Sequence, residues 1–152
     1  MKGVKLTRND FVKVQNIDWN DIIFKIEEEF KLDGMIKFKF KDRATPPTFV
    51  MHKSDIRPNT LGEAYDEVFD KYDITEMHVY VSFGETDALF GRHKDDMNVL
   101  IVQSKGSVSY RFDDGSIYTL NPGDSIFIPE GIYHDAIVTE SRLTLSFSWE
   151  KL

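Results

Sequence analysis

Three side chains that could ligate a metal stand close together in the stretch from Gly91 to His134. His93 and Asp95 are two residues apart, and His134 follows about forty residues later. On an extended segment, residues two apart share a face, so one ion can take both side chains. Two imidazoles and one carboxylate, with the remaining coordination positions open, form the donor set of non-haem iron(II) oxygenases. Asp96 points away from Asp95 and is expected to be a supporting or surface group. Cysteine is absent, which excludes disulfides, thiolate zinc sites and cysteine nucleophiles and fits a reducing cytoplasm. No Ser-His-Asp constellation or phosphate-binding loop competes with the triad.

These residues need elements to hold them, and the chain divides near residue 73. In the first part, Phe11–Val14 reads as a short strand. Asp18 is placed as the N-cap of a helix with Asp21 in its first turn, followed by Trp19, Ile22, Ile23, Ile26 and Phe30 at helical spacing. Glu27, Glu28 and Glu29 are expected on its solvated face, with Gly34 at its end. Met35–Lys41 alternates, Ile36, Phe38 and Phe40 against Lys37, Lys39 and Lys41. That is the pattern of a half-exposed strand whose lysines keep an edge soluble or offer a basic groove. Pro46 and Pro47 break the pattern, and Thr48–Met51 is a further short strand. His52 is expected at the surface. Thr60-Leu-Gly-Glu63 is read as a capping box opening a helix through Tyr72, with Leu61, Ala64, Tyr65, Val68 and Phe69 facing inward.

From Ile74 onward short strands recur at about 76–83, 97–103, 107–112, 116–120, 125–128, 135–139 and 142–149, broken by Gly, Asp and Pro. Asp113-Asp-Gly115 and Asn121-Pro-Gly-Asp124 are turn signals. Closely spaced strands with this punctuation point to a sandwich or barrel.

The second half of the opening stretch closely resembles the cupin superfamily. Gly123, Pro129, Gly131 and His134 meet its second motif, Gly-(five residues)-Pro-x-Gly-(two residues)-His, in full. The first half resembles the JmjC-like oxygenases, especially the ribosomal-oxygenase group. There a His-x-Asp-acidic opening leads through an apolar strand to Gln-x-x-Gly; here these are His93, Asp95, Asp96, Val99–Val102, Gln103 and Gly106. The resemblance covers about residues 76–149. It implies a mostly β fold, a double-stranded β-helix (cupin or jelly-roll) barrel over 74–152. The α/β N-terminal region, 1–73, would pack on it within one cupin-like domain, 1–152. It implies His93, Asp95 and His134 as iron(II) ligands and 2-oxoglutarate as co-substrate of a hydroxylase.

The same resemblance places the co-substrate contacts. A basic residue usually found two positions after the glycine is here Val108, which cannot pair with a carboxylate. Arg142-Leu-Thr144, eight residues past His134, resembles the Arg-x-Ser/Thr pair with which other 2-oxoglutarate oxygenases hold it, and a planar guanidinium suits that task. Ser146 and Tyr80 match co-substrate positions of the ribosomal group, and His78 stands where that group has an asparagine. The other face of the last strand would carry Leu143, Leu145, Phe147 and Trp149.

Length and charge bound the rest. The 152 residues are 41% hydrophobic and 13% aromatic, enough for a real core in one domain. A net charge of −7 and a pI near 5.1 disfavour direct nucleic-acid binding. No apolar run of membrane or signal length occurs, so no membrane partner is expected. The chain stops at Leu152, directly after the barrel, so a peptide, protein or small-molecule substrate is equally open, and a homodimer is the assembly entertained. Two other classes remain: a metal-binding cupin without oxygenase activity, whether binding module or isomerase-like, and a structural barrel without metal.

Overall fold

The computed structural model describes residues 2–33, 37–39, 48–84 and 91–149. In chain order the elements are β1 (Lys5–Thr7), α1 (Val12–Gln15), α2 (Trp19–Asp33), β2 (Lys37–Lys39), β3 (Thr48–Met51) and α3 (Asn59–Phe69). They are followed by β4 (Glu76–Ser82), β5 (Asn98–Lys105), β6 (Val108–Phe112), β7 (Ile117–Leu120), β8 (Ser125–Ile128), β9 (His134–Ile137) and β10 (Arg142–Trp149). Seven strands form one antiparallel sheet in the order β1-β8-β5-β10-β4-β3-β2, and three form a second, β7-β6-β9. The mostly β, jelly-roll-like architecture is the one expected.

The larger sheet is covered on both faces, and this explains its composition. Val99, Leu100, Ile101 and Val102 are all buried, as a continuous apolar run in a central strand requires. Against one face pack α1, α2 and α3 through Phe11, Val14, Ile22, Leu61, Ala64 and Val68, meeting Val79, Val81, Leu143, Leu145 and Phe147. Against part of the other face packs the small sheet, where Val108, Tyr110, Phe112, Leu120 and Val138 meet Val99, Ile101, Ile126 and Ile128. Two glycines make the joints. Gly106 has φ +69°, and a Cβ there would lie 2.0 Å from the Ser141 carbonyl oxygen; Gly123 has φ +91° in the Asn121–Asp124 turn and abuts Gln15.

The N-terminal part departs from the expected pattern in several places, three of them through contacts distant in sequence. Phe11–Val14 is not a strand: Val12–Gln15 is the short helix α1, with its N-cap Phe11 and Val14 buried. The Glu67 carboxylate accepts the backbone N–H groups of Val12, Lys13 and Val14 at 3.0–3.2 Å. The strand lies earlier, as β1 paired with β8. Asp18 does cap α2, accepting the Asn20 N–H at 2.8 Å. Thr60 and Glu63 form no capping box. The hydroxyl of Thr60 donates instead to Asp21, which also accepts its N–H, and α3 ends at Phe69 rather than Tyr72. Glu29 is not on a solvated face but buried with Lys25, while Ile23, Phe30 and Phe69 are exposed. The alternation read over Met35–Lys41 lies outside the described residues apart from the backbone of β2, as do Gly34, Pro46 and Pro47.

Candidate metal centre and anion cavity

His93 and Asp95 lie in a connection leading into β5 rather than in a strand. His93 makes a single antiparallel bridge with His134, the first residue of β9. Each backbone N–H of that pair donates to the other's carbonyl, at 2.9 and 2.8 Å, and the Gly131 N–H donates to the Asp95 carbonyl at 2.9 Å. Two segments about forty residues apart in sequence are thereby fixed side by side, with ring centroids 4.5 Å apart.

The rings are oriented for ligation. The Nδ1 of His93 lies 3.0 Å from the Gly91 carbonyl oxygen, and that of His134 lies 2.9 Å from the Ile132 carbonyl oxygen. A carbonyl can only accept, so both Nδ1 atoms carry a proton, and in the neutral tautomer that this selects Nε2 is the atom with the lone pair. The two Nε2 atoms face Asp95, at 4.0 Å from Oδ1 for His93 and 3.4 Å from Oδ2 for His134. One donor atom from each of the three side chains falls within 4.8 Å of the other two. Burial, with His93 beside it, pushes the His134 imidazole below its ordinary pKa, which favours the neutral ring that a metal requires. The donor set and its tautomers fit a divalent metal.

Beside the triad lies a cavity lined by Tyr80, Val99, Ile101, Tyr110, Ala136, Arg142 and Ser146 as well as the three ligand candidates. Among its lining residues is Arg142, only 3% exposed on the central strand β10. Arg142 Nε donates to Ser82 Oγ at 3.0 Å and Nη1 to Thr144 Oγ1 at 3.1 Å. The chain of hydroxyls continues from Ser82 to Thr48 at 2.7 Å, and from Thr144 to Gln103 Oε1 at 2.7 Å. Gln103 in turn donates to the carbonyls of Lys105 and Gly106, so the residues matching Gln-x-x-Gly tie the β5–β6 turn to the cavity floor. The guanidinium lies 5.6 Å from the Tyr80 ring and is bonded to Tyr110. Burial pushes its pKa down and those of Tyr80 and Tyr110 up. No carboxylate pairs with Arg142 among the described residues.

Of the residues singled out from sequence, the structure brings His93, Asp95, His134, Tyr80, Arg142 and Ser146 to one cavity. Thr144 is fully buried behind Arg142. The polar face of β10 is thus interior to the fold, not the outside of an edge strand. His78 does not line the cavity. It is half-buried opposite Ser146, with Nε2 3.6 Å from Glu76, and burial lowers its pKa. His52, expected at the bare surface, lies edge-on to it at 6.0 Å. Tyr110, Ser82 and Thr48 were not foreseen. Tyr110 has only its alternation with Val108 and Phe112 to mark it, and Val108 itself belongs to the apolar core.

The AraC-like ligand-binding domain family matches residues 77–150. The fold is cupin-like. The chain aligns with the X-ray structure of Escherichia coli ycfD at a TM-score of 0.70 and 14% identity, covering 99% of this chain and 50% of that one. It aligns equally with YcfD, a ribosomal oxygenase from Escherichia coli, in complex with cobalt and 2-oxoglutarate. There the TM-score is 0.68 and the identity 16%, over 99% and 49% of the two chains. The complex with cobalt and succinic acid gives 0.67 and 15%, over 98% and 48%. The chain therefore spans about half the length of these structures, and the likeness is one of fold. No curated protein matches. No helix among the described residues is long and apolar enough to cross a membrane.

Proposed function

We propose that the protein is an iron(II)- and 2-oxoglutarate-dependent oxygenase, a hydroxylase acting on a small molecule or a peptide. The observation that carries this reading is Arg142, a buried guanidinium with only neutral partners among the described residues, lining the same cavity as the His93–Asp95–His134 triad. A buried cation without a counter-charge is costly, and a ligand carboxylate would relieve it. A 2-oxo dicarboxylate has one end to meet a metal and another to meet Arg142, and the fold is the one that binds cobalt and 2-oxoglutarate in YcfD.

His93, Asp95 and His134 would hold the metal, with Nδ1 protons kept on the Gly91 and Ile132 carbonyls so that Nε2 stays a donor. Arg142 would grip the far carboxylate while Ser82 and Thr144 fix the plane of its guanidinium. Tyr80 and Ser146 would add hydroxyl donors, and Val99, Ile101 and Ala136 keep water from the cavity wall. Bound iron(II) with 2-oxoglutarate supplies the oxidising chemistry; the chain supplies ligands and orientation. Neither nucleic acid nor membrane is proposed as a partner. One cupin-like domain in a reducing cytoplasm, alone or as a homodimer, completes the reading.

The match to AraC-like ligand-binding domains, together with Val108 in place of the usual basic residue, favours a second reading: a metal-binding cupin that senses or binds a small ligand without oxidising it. Anaerobic addition of iron(II) and 2-oxoglutarate separates the two. The oxygenase gives a weak visible charge-transfer band that needs both components; iron-loaded protein without the band sinks the first reading and leaves the second.

A further inference from the structure

The side chains next to the ligand candidates interlock on the outside of the site. Arg92, preceding His93, donates through Nε and Nη2 to the two carboxylate oxygens of Asp113 at 2.6 and 2.5 Å. Its guanidinium carbon lies 3.8 Å from the centre of the Tyr133 ring, and Tyr133 precedes His134. Lys94, following His93, brings its ammonium within 5.4 Å of the same ring. Arg92 therefore touches three segments at once: its own, which carries His93 and Asp95, the start of β9, which carries His134, and the β6–β7 turn.

Arg92 and Asp113 are both exposed, and an exposed ion pair adds little to fold stability. Yet His93 and Asp95 stand outside any strand, tied to the first residue of β9 by a backbone bridge and to the turn before it by the Gly131–Asp95 bond. Whatever orders that connection before an ion arrives spares the ion the entropy of ordering it.

We propose that Arg92, stacked on Tyr133 and anchored by Asp113, is a positioning residue that pre-arranges His93, Asp95 and His134 for their metal. The inference rests on the reading of those three as ligands, and its test keeps the two apart. Manganese(II), a redox-stable stand-in, is titrated into the whole chain, and binding is followed by loss of the free-ion paramagnetic resonance signal.

Arg92→Ala and Tyr133→Leu should each weaken binding about tenfold, the lower end for loss of a group that orients ligands. Their Tm should stay within about 2 °C of the parent. Tyr133→Phe, which keeps the ring, should bind as the parent does, and Arg92→Lys should recover only part of the affinity, since it keeps charge but not the fork or the stack. Equal affinity in all four variants overturns the clamp and leaves the ligands standing. So does an affinity loss that merely follows a fall in Tm. A parent chain that binds no better than His134→Ala overturns the ligand reading and the clamp with it. Asp113→Asn carries the same comparison should Arg92→Ala not fold.

Discussion

Among the described residues two cationic side chains of lysine or arginine are buried, and they are treated differently. Lys25, fully buried on α2, pairs with Glu29 at 3.1 Å and donates to the carbonyls of Lys53 and Ile56 at 2.6 and 2.8 Å. Glu29 accepts the backbone N–H groups of His52 and Lys53, so the pair bolts α2 to the segment after β3. Arg142 is as deeply placed but meets the hydroxyls of Ser82 and Thr144, and a cavity. Burial lowers the pKa of both. Among the described residues, only for Lys25 is the desolvation cost offset by a carboxylate. On the proposed reading, the contrast separates a charge that builds the structure from one that would meet a ligand.

The largest effect should come from breaking the closed pair. Lys25→Met strands Glu29 in the interior and should cost about 3–5 kcal/mol of unfolding free energy in urea. Replacing both partners by Met should recover most of that. If Lys25→Met is nearly neutral, the pair is no bolt and the contrast with Arg142 collapses.

Arg142→Met should behave in the opposite way. Its removal relieves an uncompensated charge, so urea stability should hold or rise slightly. Affinity for 2-oxoglutarate in the manganese-loaded protein should fall at least about a hundredfold, with metal affinity unchanged. Calorimetric titration reads both ligands. A variant that unfolds easily and still binds 2-oxoglutarate would make Arg142 another structural cation, and the anion proposal would go with it.

Legibility from sequence follows the same divide. The strands after Ile74 were placed to within two or three residues because alternation and turn residues there are local signals: Gly115 and Gly123 stand at positive φ where the turns were expected. The motif spacing named the triad, and the family resemblance named Tyr80, Arg142 and Ser146 on the same cavity, although His93 and Asp95 converge through one backbone bridge rather than strand geometry. The misreadings fall where charge is settled by distant partners. Glu67 capping α1, Asp21 capping α3 and Glu29 pairing inward all depend on which helices meet, and neither periodicity nor a four-residue motif carries that. Tyr110 escaped for a related reason. A tyrosine in an alternating apolar strand looks like core until Arg142 is seen beside it.

The smallest effect probes whether neutral partners alone can hold a buried charge. Asp21 is an anion in that position: buried, it accepts from the Thr60 hydroxyl and N–H and from Asn59 Nδ2 at 3.1 Å. Burial raises its pKa, but the bonds from Thr60 and Asn59 outweigh that and leave it lowered. Lowered below the unfolded value near 3.8, it contributes stability fully present above that pH and lost as pH falls through the folded-state value. Asp21→Asn should therefore cost about 1 kcal/mol at pH 7, the usual worth of a helix cap, and less in acid, flattening the acid limb of the urea-stability profile. Asp21 differs from Arg142 in facing donors at the start of α3, where the helix dipole favours an anion, and not a cavity. If Asp21→Asn leaves the acid limb unchanged, hydroxyl and amide donors do not stabilise the charge even there. Arg142, with hydroxyls and no helix end, would then depend all the more on a ligand's carboxylate.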